Sequence, residues 1–468
     1  MKILITLIIL FICTALIFGC TESEIVDENN EDINTPSLIP PPIIEQKGYT
    51  PGDTLVCEAK QFFNYDKEIN LAEKLTQVKS SDFNAHGLCR SSFCYPYLKH
   101  KVTIDENRIY VESIAYIDVD LAPGGEEKMG IGYNVPKDAN NFIVEFVEGD
   151  RIYDKFLGTN KYDFELALPL TTQNTTTYNT KVLFPILKSG RNTFNVSYSY
   201  APQKGCAENV CIYPFAVFAY PEQVVEIELI SNTGEILNDY KKLFLGYSEQ
   251  MIAISNEDTY NIGRFKLSET QRHIASPFDK RIERVSNNIN FAENITSQKA
   301  PKEVFLFFTD QISSDTSFTY NSGGIIVIQD SYPTEEFEEV LMHEIAHNAV
   351  TNPRYPQWLD EGIGFYTGNE YMYEGEGIYD ATNEDYIITD VDEKQYYLPE
   401  GFDLPHYNYS ANVVKKFIEK YGCEKFHIFQ KELNSLDAQW LRERERVENA
   451  LSKSIGDYNY EELINNEI

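Results

Sequence analysis

The chain has 468 residues, 42% of them apolar, with 32 Tyr and 28 Phe. That length allows two or three domains, and so apolar and aromatic a composition excludes a disordered chain. The formal net charge of −33 excludes nucleic acid as a natural partner, because an acidic surface repels phosphate backbones.

Residues 1–19 read as an export signal: Lys2 precedes an apolar run from Ile3 to Phe18. The run ends Ile17-Phe18-Gly19-Cys20, which resembles a prokaryotic lipobox. The resemblance implies cleavage before Cys20, lipid on that cysteine, and a chain held at the outer face of the cytoplasmic membrane. An uncleaved N-terminal anchor is the alternative, and either one exports the rest of the chain. Residues 20–50 are acidic, then carry Pro40, Pro41 and Pro42, with no helical or strand period. They read as a solvated tether.

Residues 51–250 read as an all-β, sandwich-like domain. From about 101 to 230 the apolar positions alternate: Phe164, Leu166 and Leu168 share a face, as do Phe194, Val196, Tyr198 and Tyr200, and Val225, Ile227 and Leu229. Eight or nine short antiparallel strands are expected, with a scaffolding or recognition role. Six cysteines remain beyond Cys13 and Cys20. Cys89 and Cys94, and Cys206 and Cys211, form two similarly spaced pairs that would close small disulfide loops in an oxidising compartment. Structural zinc is their alternative, and Cys57 and Cys423 either pair or stay free. His86 and His100 read as structural or surface residues. N-x-[ST] sequons occur at Asn174, Asn195, Asn294 and Asn408.

Residues 255–468 change character. The segment 278–289 has helical spacing, "EVFLFF" and "GGIIVI" read as strands, and helices follow to the C-terminus. An α+β domain is expected. The acidic segment 373–393 lacks the ligand order of a calcium loop and reads as a solvated loop near the site. The charged segment 437–455 reads as an amphipathic helix on the outside.

Within this domain "VLMHEIAHNAV" carries two of the chain's seven histidines. Thr334 is a candidate N-cap for a helix over it, and Glu335 and Glu336 suit the positive end. His343 and His347 are four apart, one turn along one face, so both imidazoles can reach one Zn²⁺. Glu344 is rotated by ~100° from the first histidine. There it can take the proton of a water whose pKa the metal lowers. With histidine this scarce, H-E-x-x-H arises by chance in roughly one chain in a hundred. Catalytic zinc usually has a third protein ligand. Glu361, thirteen residues beyond His347, supplies a candidate on a helix that Pro356 can open and Gly368 can end.

"HEIAH" followed by "WLDEGIGFY" resembles the gluzincin metallopeptidases, the clan of thermolysin and the M1 aminopeptidases. The closer likeness is to compact peptidase MA-like domains, because the spacing is shorter than in M1 enzymes. The resemblance covers roughly residues 260 to 440. It implies a thermolysin-like catalytic fold, one catalytic Zn²⁺ held by His343, His347 and Glu361, and Glu344 as general base. "HYNYSANVVKKFIEKYG" resembles the segment whose tyrosine donates to the oxyanion. Tyr407 takes that place, with Ser410 where the family has glycine and Gly422 at the helix end. Tyr409 and His406 are competitors for the role. The resemblance further implies that "NSGGIIVIQD" is an edge strand able to pair with extended substrate, Gly323 and Gly324 letting a peptide approach. That strand lacks the amine-binding glutamate of M1 aminopeptidases, which favours cuts within a chain.

The expected partners are therefore a peptide or protein substrate and, through Cys20, a membrane. The competing functions are an M1-like aminopeptidase, an inactive surface binding lipoprotein, and an envelope lipoprotein with no metal.

Overall fold

A computed structural model of the chain describes residues 57–60, 62, 93–146, 158–168, 171–309, 317–320, 324–329, 336–350, 355–373, 404–434 and 443–456, apart from short breaks between strands. The export signal, the tether, His86, Cys89, Thr334 and, beyond Tyr373, the acidic segment 373–393 lie outside them. Residues 46–468 form one compact unit, with both strands and helices in several sheets. Among the described residues no helix is long and apolar enough to cross a membrane.

The β-rich half carries a six-stranded sheet. Its spatial order is Leu243–Leu245, Val224–Ser231, Phe93–Ile104, Ile109–Val119, Gly190–Tyr200 and Asn140–Phe146. A four-stranded sheet of Gly205–Ala207, Val210–Val217, Ser248–Ser255 and Glu235–Ile236 packs on it. The expectation of eight or nine antiparallel strands is corrected here. Among the described residues twelve strands begin between Phe93 and Val224, and Phe93–Ile104 pairs with Val224–Ser231 in parallel. Strands as short as Glu126–Lys128 show no period, and alternation does not encode which distant strand becomes the neighbour.

A five-stranded sheet follows, in the order Thr259–Ile262, Phe265–Ser268, Val304–Thr309, Ile325–Gln329 and Ser317–Tyr320. Its central pairs are parallel and its last pair is antiparallel. Helices α1 (Asp279–Asn287), α2 (Ile289–Thr296), α3 (Phe337–Ala349), α4 (Gln357–Tyr373), α5 (Leu404–Tyr421), α6 (Cys423–Leu433) and α7 (Glu443–Ile455) complete the fold.

The sheets and helices stack as successive layers. Val304, Leu306 and Phe308, with Ile326 and Ile328, face the helices and join their core. Phe305, Phe307, Ile325 and Val327 face the other way, onto Val210, Ile212, Met251 and Ala253 of the four-stranded sheet. Tyr213, Phe215 and Val217 then face the six-stranded sheet. The central strands are thus covered on both faces, which is why they read as continuous apolar runs. The helices lie on the side of the five-stranded sheet away from the β-rich half.

Disulfides tie this arrangement. Cys206 bonds Cys211 directly across a hairpin. Cys94 is also disulfide-bonded. Cys57 bonds Cys423 at the start of α6, 366 residues away. Beside it the Ala59 backbone N–H donates to Asn294 Oδ1 at 3.2 Å. That sequon side chain is buried and occupied in the fold. His100 is buried with its Nδ1 2.6 Å from Ser113 Oγ, in agreement with a structural reading.

Candidate metal centre

The segment Phe337–Ala349 forms one helix, as its spacing requires. Phe337, Leu341, Met342, Ile345, Ala346 and Ala349 bury it on nearly every side. The residue before its first turn is Glu336, with no side-chain cap. Helix α4 crosses against α3 with Leu359, Ile363 and Tyr366 in the core. Gly368 does not end α4. It sits inside the helix, where a Cβ would lie 2.7 Å from the Glu339 carbonyl oxygen of α3. The glycine permits contact between the two helices rather than termination. Gly362 does the same toward α5, where a Cβ would lie 2.7 Å from the Ser410 carbonyl oxygen.

This close approach brings three donors together. His343 Nε2 and His347 Nε2 are 2.9 Å apart. Glu361 Oε2 is 3.3 Å from the second and 3.6 Å from the first. Ligand atoms on a tetrahedron with bonds of ~2.0–2.1 Å are separated by about 3.3 Å, so the spacing fits zinc. Among the described residues this is the group of His, Cys, Asp and Glu that could hold a metal. Gly364 leaves the space: a Cβ there would be 2.8 Å from His347 Nε2 and 3.1 Å from His343 Nε2. His₂Glu with nitrogen and carboxylate donors is a zinc-type set.

The electrostatics also call for a cation. Burial alone would lower the His347 pKa, yet the Asp360 and Glu361 carboxylates hold it well above the usual imidazole range. Burial pushes the Glu361 carboxyl up, but His347 and then His343 hold it well below the usual range. Without metal, the positive charge of protonated His347 offsets these carboxylates, and a divalent ion can take its place.

Glu344 is buried beside the ligands on α3. Asn348 Nδ2 donates to its backbone carbonyl at 3.0 Å. The two tyrosine candidates part company on α5. The Tyr407 ring is 6.3 Å from that of His343 and 6.0 Å from Phe365. Burial, then the Glu361 and Glu344 charges, push its phenol pKa up, so it stays protonated and can donate. Tyr409 turns into the helical core, where burial pushes its pKa up to about 12. The helix ends at Tyr421, with Gly422 at φ 81°.

No family model matches the chain, and no curated protein matches it.

The edge-strand expectation requires correction. Ile325–Gln329 is interior, paired on both sides, and the terminal strand is Ser317–Tyr320. At Gly324, φ 57°, a Cβ would stand 3.2 Å from the Glu303 carbonyl oxygen and 3.4 Å from that of Asp239. Sequence reasoning also passed over Asp360, whose Oδ1 is 3.2 Å from His347 Nδ1, and Gly364. Both stand in the quoted "WLDEGIGFY"; Gly364 had a signal in helical spacing, three residues beyond Glu361 on nearly the same face, whereas Asp360, about 100° from Glu361, had none.

Proposed function

We propose that this chain is a zinc-dependent peptidase of gluzincin type, cutting within peptide chains outside the cytoplasm. The observation that carries the reading is the convergence of His343, His347 and Glu361 donor atoms, with Glu344 adjoining the first ligand on the same helix. In it, His343, His347 and Glu361 hold one Zn²⁺, which when bound polarises the scissile carbonyl and acidifies water. Glu344 accepts the proton of the attacking water and delivers it to the departing amine nitrogen, so no proton is lost between the two steps. The Tyr407 phenol donates to the developing oxyanion. Extended substrate pairs with the outer edge of Ser317–Tyr320, the terminal strand of the sheet, which runs alongside α3.

Export and a lipid anchor on Cys20 are part of the same reading. The disulfides at Cys57–Cys423 and Cys206–Cys211 support it, because such bonds persist in oxidising compartments.

The test is digestion of a diverse peptide mixture by the full-length chain, with the cuts mapped by mass spectrometry. Glu344→Gln should lose about 10²–10⁴ in rate while retaining its zinc. Internal cuts that vanish in the variant support the reading. Trimming from the N-terminus alone would make it an aminopeptidase, and zinc binding without any cleavage would leave a binding protein.

A further inference from the structure

We infer that Asp360 is a positioning residue for the metal, acting through His347. Asp360 and Glu361 are consecutive on α4, about 100° apart around the helix, yet both reach one imidazole. Asp360 Oδ1 lies 3.2 Å from Nδ1 and Glu361 Oε2 lies 3.3 Å from Nε2. The ring is therefore gripped at both nitrogens by adjacent residues of a single helix. A carboxylate 3.2 Å from Nδ1 favours the tautomer protonated there, which leaves the lone pair of Nε2 for a metal.

The two histidines are supported differently. His343 meets aromatic rings, Phe365 at 6.2 Å and Tyr407 at 6.3 Å, and its carboxylate contact is Glu361 at Nε2. His347 is more deeply buried, its side chain 6% exposed against 14% for His343. Asp360 therefore orients the ligand that has less freedom to correct itself. A water channel is not needed for this role, only the direct contact.

The assignment rests on the zinc-site reading, and metal binding tests the two apart from any cleavage. Metal-free full-length chain is titrated with Zn²⁺ against a competing chelator, and separately with Co²⁺ while the visible absorption is recorded. Asp360→Ala should bind zinc about 10–100-fold more weakly and give altered cobalt bands at saturation. Asp360→Asn should fall between, since its amide oxygen can still accept from Nδ1–H; being nearly isosteric, it carries the test if the alanine variant does not fold. Wild-type zinc affinity and cobalt spectrum in both variants would overturn the role of Asp360 and leave the zinc site standing. Failure of the wild-type chain to bind one zinc would overturn both.

Discussion

Replacing Gly364 by alanine sets two opposed effects against each other. Alanine is favoured over glycine inside a helix by about 1 kcal/mol, and residue 364 lies in the interior of α4. The new methyl carbon, however, would stand 2.8 Å from His347 Nε2 and 3.1 Å from both Cε1 and Nε2 of His343. Carbon needs roughly 3.5 Å for comfortable contact, so the rings must move by several tenths of an ångström. They are not loose ends: His347 is held by Asp360 and Glu361. Overpacking of about 1–3 kcal/mol offsets or exceeds that gain, so the expected result is a metal-free protein no more stable than the wild type, with zinc bound at least about tenfold more weakly. Tenfold in Kd is about 1.4 kcal/mol. With zinc in excess of both Kd values, zinc-induced stabilisation should shrink by at least that amount. Denaturant unfolding of metal-free and zinc-loaded protein measures both quantities. A variant more stable without metal and unchanged in zinc-induced stabilisation would refute the packing argument.

Tyr407→Phe should lower kcat by about 10²–10³ with zinc affinity intact, whereas Tyr409→Phe should leave kcat unchanged; steady-state kinetics on one cleaved peptide separate them. Replacing both Cys57 and Cys423 by serine should lower stability by up to about 6 kcal/mol, the chain-entropy value for so long a loop, read as a lower urea midpoint. In the metal-free protein the raised pKa of His347 contributes stability that is complete below about pH 6.5. That contribution is lost as pH rises through the folded value, so thermal melts in chelator should fall with rising pH. Zinc should remove the decline, because deprotonated imidazole is the form the metal takes.

The helix over His343 and His347 was legible because its spacing and its chemistry coincide. Glu361 was legible through its distance from His347, enough for a turn and a return pass, and through the likeness of its segment to a zinc-ligand segment; the strand Val304–Thr309 was legible through its apolar run. What covers each face of this strand, helices on one and another sheet on the other, was not legible, since an apolar run reports burial and not the neighbour. The same gap hid which strand lies at the sheet edge. Gly368 misled because a glycine at a helix end and one at a helix crossing look alike in sequence; only the Glu339 carbonyl opposite it distinguishes them. The Cys57–Cys423 bond was undecidable for a similar reason, with 366 residues between its ends.

That bond also sets a load path. Tension applied to residues before Cys57 passes through one covalent link into Cys423 and α6, beside α2. It bypasses the loop the bond closes, which holds the three stacked sheets and the metal-ligating helices α3 and α4 alike. Pulled from its N-terminal side against its C-terminal side, the molecule would bear force on α6 and α7, while the β-rich half and the metal site remained mechanically slack.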